Sequence, residues 1–134
     1  MAGIFISYRR EDAAGDAGRL YDRLVEHFGR DRVFRDIDNI QPGGRFPRVI
    51  DEQLSRCDVL IALIGRRWLT EANAEGRPRL EDPDDFVRLE IATALRRDVT
   101  VIPALLDKAE MPRSAALPSD LTPLASCQAI EIDG

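Results

Sequence analysis

The run DVLIALI, residues 58–64, constrains this chain most. Six apolar residues follow Asp58 without a break, and Gly65 closes the run. It is far too short to cross a bilayer, which takes about twenty apolar residues in a helix. A strand exposed on one side would alternate apolar and polar residues. An unbroken apolar strand belongs in a parallel sheet that is covered on both faces. Four other segments read as strands beside it: 3–7 (GIFIS), 32–35 (RVFR), 100–106 (TVIPALL) and 128–132. Pro103 in the fourth suits a strand end better than a strand middle.

Helical patterns separate these strands. Residues 16–28 place Ala17, Leu20, Leu24, Val25 and Phe28 at helical spacing, and Gly29 supplies a stop. Residues 47–55 carry Val49, Ile50 and Leu54 behind Pro47. Residues 81–97 have Asp82 as the expected N-cap, Pro83 at N1, Asp84 and Asp85 in the first turn, and Arg96 and Arg97 in the last. Val87, Ile91, Ala94 and Leu95 form its core stripe. Phe86 and Glu90 are four apart and share a face close to that stripe. Residues 8–12, 36–46 and 66–83 read as loops, the second containing Pro42, Gly43 and Gly44. Residues 108–123 contain three prolines and allow only short helical turns.

Strands alternating with helices define the fold class: α/β, flavodoxin-like, a five-stranded parallel sheet of order 2-1-3-4-5 with helices on both faces. Such sheets bind ligands beyond the carboxyl ends of the strands, at the point where the strand order reverses. The length, 134 residues, fits one domain, 1–134. The chain stops just past the fifth strand, where such a sheet normally continues into a closing helix. The final helix is therefore expected to be missing, and the natural protein is expected to continue.

Several function classes are excluded at this stage. A net charge of -5 argues against non-specific nucleic-acid binding. Cys57, Cys127 and the single His27 have no metal-ligand spacing, so no metal or other cofactor is expected and a reducing cytoplasm is the simpler location. The stretch MAGIFISYRRED has no basic region followed by a signal-type apolar segment, so no signal peptide and no membrane association are expected. Neither a dinucleotide fingerprint nor a phosphate-binding P-loop is present. A phosphoacceptor receiver domain would need an Asp ending the third strand, where Gly65 stands.

One combination spans nearly the whole chain. FISYRR (5–10) follows a short N-terminus; then come VFRD (33–36), IQPG (40–43), CDV (57–59), Trp68-Leu69 and FVRLE (86–90). In order and spacing this resembles a TIR (Toll/interleukin-1 receptor) domain of the bacterial type. The resemblance implies one of two functions. Some TIR domains are non-enzymatic TIR–TIR interaction modules. Others cleave the nicotinamide–ribose bond of NAD with a glutamate on the helix after the third strand. The resemblance makes Glu90 the catalytic residue and Phe86 its aromatic neighbour one turn earlier. It further implies Tyr8, Arg9, Asp36, Asp38, Phe46 and Trp68 as substrate-binding residues. Ile37, Asn39, Ile40, Pro42, Gly43 and Gly44 fall in the loop that gates the site and joins neighbouring TIR domains. Asp36 is also placed where it could hydrogen-bond Ser7. The partners implied are NAD as substrate, other TIR domains on activation, and a fused C-terminal sensor domain, as in effectors of bacterial anti-phage defence.

Overall fold

A computed structural model describes residues 3–35, 46–72, 75–82 and 85–132. The parallel sheet expected from the apolar runs is present. Its strands are β1 (Gly3–Ser7), β2 (Val33–Arg35), β3 (Cys57–Ile64), β4 (Thr100–Leu106) and β5 (Ile130–Ile132). All pairings are parallel, in the order β2-β1-β3-β4-β5. Among the described residues the α-helices are α1 (Arg10–Phe28), α2 (Phe46–Leu54) and α3 (Phe86–Arg96). Short 3₁₀ turns at Ser114–Ala116 and Ser119–Ser126 occupy the proline-rich segment before β5. Both edge strands, β2 and β5, are only three residues long, which limits the backbone they offer to another chain.

Alternation along the strands divides the interior into two cores. Phe5, Leu60, Ala62, Ile64, Val101 and Leu105 face α2, α3 and the 3₁₀ turn at Ser119–Ser126. Ile6, Leu63, Ala104 and Leu106 face α1, with Ala13 and Ala17. Leu60, at the centre of β3, is fully buried, and such a side chain contributes roughly 1.5–3 kcal/mol by leaving water.

Four expectations need correction. First, α1 begins at Arg10 and not at residue 16. The charged stretch 8–12 hides its first turns, which bend at Ala13 (φ -141°, ψ 19°). Second, α3 begins at Phe86, and its N-cap is Asp85, whose carboxylate accepts the Arg88 N–H at 3.1 Å. Asp82 instead closes a 3₁₀ turn at Arg79–Glu81. Third, Pro103 lies in the middle of β4. It is tolerated because β5 pairs only with β4 residues 104–106, so up to Pro103 one side of β4 needs no N–H. Fourth, β5 begins at Ile130 and not at 128. Gly29 does stop α1, at φ 90°, with its N–H donating to the Val25 carbonyl at 2.9 Å.

Candidate active site

The order of the sheet reverses between β1 and β3, and the ends of those strands hold the candidate site. β1 delivers Ser7 to this edge, in register with Ala62 of β3. From the helix that follows β3, Glu90 reaches the same point. The Ser7 hydroxyl donates to Glu90 Oε1 at 2.8 Å, across 83 residues of sequence. Both groups are buried, Ser7 at 1% and Glu90 at 5% exposure. A buried carboxylate is costly to keep and requires partners. Here one is the hydroxyl at the end of the neighbouring strand.

Arg9 is buried as well, at 3% exposure. Its two terminal nitrogens donate to the two carboxylate oxygens of Asp85, at 3.0 and 2.8 Å. Its Nε donates to the Trp68 carbonyl at 3.3 Å. This forked pair ties the end of β1 to the cap of α3. Arg88, one residue before the Leu89–Glu90 pair, holds the same helix from another side. Its Nε lies 3.1 Å from Asp120 Oδ1, and one terminal nitrogen donates to the carbonyls of Leu80 and Glu81. The helix that carries Glu90 is thus pinned near its start by charged hydrogen bonds to three separate segments.

The remaining expected site residues divide. Phe86 and Glu90 were expected together on one face as a site floor. The structure separates them by depth: the Phe86 ring is 40% exposed at the rim, while Glu90 is inside. Trp68 was expected to bind substrate; it is 1% exposed and packs in the larger core, touching only the opening between the ends of β3 and β4. Tyr8 packs against the α1-side core, on the opposite face of the sheet from Phe5. The period-two alternation of an extended chain explains this: Phe5, Ser7 and Arg9 turn to one side, Ile6 and Tyr8 to the other. Arg9 was expected to bind substrate, through a phosphate or the adenosine side, and its guanidinium is engaged by Asp85 and the Trp68 carbonyl instead. Asp36, Asp38, Ile37, Asn39, Ile40, Pro42, Gly43 and Gly44 lie outside the described residues. Phe46 opens α2, but its side chain lies outside them too.

Two residues important to the geometry, Ser7 and Asp85, were not counted among the site residues by sequence. Alternation from the core residue Phe5 was the available signal for Ser7. For Asp85 it was the three-residue spacing to Arg88, which suits a cap as well as Asp82 does. Open volumes lie along this edge of the sheet, and Glu90 lines neither of the two described next. One of about 300 Å³ sits between the ends of β3 and β4, near Gly65, Leu69 and Lys108. Another of about 340 Å³ lies between the ends of β4 and β5. The turn leaving β4 holds Asp107 and Lys108 at φ 50° and 60°, and the Asp107 carbonyl accepts from Arg66 Nε at 2.8 Å. Among the described residues, no three His, Cys, Asp or Glu side chains group as metal ligands would. No described helix is long and apolar enough to cross a membrane.

A doubly wound parallel sheet, with a buried carboxylate and a serine meeting at its switch point, defines a class of α/β domain whose ligands enter at the carboxyl edge. Within that class the chain belongs to the TIR domain family, which it matches over residues 4–132. Among solved structures it is similar to the TIR domains of the activated Roq1 resistosome directly recognizing the pathogen effector XopQ. The TM-score is 0.68 at 12% identity, covering 98% of this chain and 88% of that one, a likeness of fold. No curated protein matches the chain.

Proposed function

We propose that this TIR domain is an NAD glycohydrolase that acts when several copies are brought together. The observation that carries this reading is the buried carboxylate of Glu90, held by Ser7 at the switch-point edge of the sheet. The chemistry suits a single carboxylate. Breaking the bond between C1′ of the ribose and the nicotinamide nitrogen leaves an oxocarbenium-like sugar. The leaving ring needs no proton, because departure neutralises its charge. Glu90 stabilises the cationic sugar electrostatically or holds its hydroxyls. Water then attacks C1′ to give ADP-ribose, or a nitrogen of the adenine does so to give a cyclic isomer. The half-exposed Phe86 ring at the rim is available to stack the nicotinamide cation. Asp36, Asp38 and Phe46 would complete the substrate contacts, and Tyr8 the strand end. Arg9 and Trp68 serve behind the site in this reading.

The loop 37–44 is proposed to join neighbouring TIR domains, which makes activity depend on assembly. A fused sensor domain would supply the clustering signal, and depletion of NAD or a nucleotide product would serve anti-phage defence. The test is nicotinamide release from NAD by artificially clustered protein, wild type against Glu90→Gln. Clustered wild type is expected to release nicotinamide and dilute monomer to be nearly inactive. Glu90→Gln is expected to lower release by at least about a hundredfold. No release from clustered, folded wild type would leave the non-enzymatic TIR–TIR module as the function. Release that survives Glu90→Gln would remove Glu90 from the chemistry.

A further inference from the structure

β1 is fastened to α3 at two points. At the first, the Ser7 hydroxyl meets Glu90 itself at 2.8 Å. At the second, two residues further along an extended backbone, the Arg9 fork meets both oxygens of Asp85. Asp85 is also the cap of α3, through the Arg88 N–H. The same carboxylate therefore receives the arginine and starts the helix that carries Glu90. A glutamate has three side-chain torsions, and one hydrogen bond to Oε1 restricts which way the carboxylate plane turns. A guanidinium fork on the cap adds what a point charge cannot, a fixed direction for the first turn. Buried ion pairs contribute little net stability compared with apolar packing. Stability alone therefore does not account for placing one beneath the carboxylate-bearing helix.

We propose that Ser7 and Arg9 are positioning residues: a two-point clasp between β1 and α3 that sets where the Glu90 carboxylate points, Arg9 acting through Asp85. The inference rests on the NAD-cleaving reading of Glu90. It makes the alternate residues 7 and 9 the working part of the strand end, with Tyr8 turned to the other core. Displacements of about 1 Å can cost a reaction about a hundredfold. Loosening the clasp therefore lowers turnover much more than substrate affinity.

The experiment compares the clustered full chain as wild type, Ser7→Ala, Ser7→Cys and Asp85→Asn. Ser7→Ala is expected to lower kcat about tenfold or more while KM changes less than about threefold. Ser7→Cys, similar in volume but a weak donor, stays close to Ser7→Ala. Asp85→Asn keeps a cap acceptor but halves the fork, and it lowers kcat likewise; Ser7→Ala decides the matter if that variant fails to fold. Wild-type kcat in Ser7→Ala overturns the proposal, as does a loss confined to KM. Restoration by Ser7→Cys overturns it too, since volume would then be what matters. The clasp is also read without NAD, from the ¹³C resonance of the Glu90 carboxyl. It should move between wild type and Ser7→Ala, and an identical signal in both sinks the clasp. If clustered wild type releases no nicotinamide, the glycohydrolase reading falls, and this resonance still decides the clasp.

Discussion

On one face of the sheet, α2, α3 and the 3₁₀ turn at Ser119–Ser126 cover a core running from Phe5 and Leu60 to Leu121 and Leu124. On the other, α1 covers a smaller one, from Ile6 and Val33 to Leu106. Among the described residues, the buried polar side chains are Ser7, Arg9, Glu90 and Thr93, and all belong to the end of β1 or to α3. The α1 side is instead apolar and incompletely filled. A groove of about 420 Å³ runs beside α1, lined by Leu20, Leu63, Leu106 and Ile132 and by the charged Asp16, Arg19 and Arg23. The comparison teaches where this fold tolerates costly groups. Buried charge sits where packing is thickest, because surrounding side chains hold each partner in place and exclude competing water. Among the described residues, the thinner face buries only apolar side chains, which need no such fixing.

The largest effect should come from breaking the charge pair on the thick face. Arg9→Met leaves Asp85 buried without its cation and is expected to destabilise the domain by roughly 3–5 kcal/mol in urea unfolding. Adding Asp85→Asn to it should recover part of that loss. No recovery would mean that Arg9 matters by packing and not by charge. The next effect compares the cores directly. Leu60→Ala opens a cavity in the filled core and should cost about 3–5 kcal/mol. Leu63→Ala borders the groove beside α1 and should cost less, about 2–3 kcal/mol. Equal costs in thermal or urea melts would break the distinction between the faces.

The smallest effect lies outside both cores. Arg97 donates to Asp51 at 2.6 and 2.7 Å between the exposed ends of α3 and α2. These hydrogen bonds, with the arginine charge beside them, hold the Asp51 carboxyl below its ordinary value of 3.8. A depressed carboxylate contributes its stability in full above its unfolded value and loses it as pH falls through the lower folded one. Asp51→Asn should thus lower the urea midpoint slightly at pH 7 and not at all well below pH 3. A large effect at neutral pH would show that exposed pairs matter here as much as buried ones. The thiols contrast in the same way: burial pushes Cys57 up to about 11, and Cys127 is raised too by its partial burial.

Much of this arrangement was legible in advance, and the misses share a cause. The apolar run 58–64 implied a covered parallel strand, and β3 occupies it with one residue more. Gly29 and the helical stripe of Val87, Ile91 and Ala94 did what their patterns implied. The residues 10–15 did not look helical because nothing in them repeats at helical spacing except Ala13 and Ala17. The helix there rests on its contact with the sheet. Trp68 was assigned to the substrate by its place in the family pattern, while the residues themselves allowed core packing under the long connection equally well. Whether its ring goes in or out depends on the space left under that connection.

What the sequence by itself determined was the period of each element, its order along the chain, and so the sheet and the edge at which a site must lie. Those follow from local chemistry: apolar spacing, glycine stops and the absence of half-exposed strands. What only the tertiary structure decided was which polar groups meet. Ser7 and Glu90 are 83 residues apart, and Arg9 and Asp85 are 76 apart. No local pattern records such a pair. It exists because the crossover from β1 to β3 brings the strand end beneath α3, and because alternation turns residues 7 and 9, not 8, toward it.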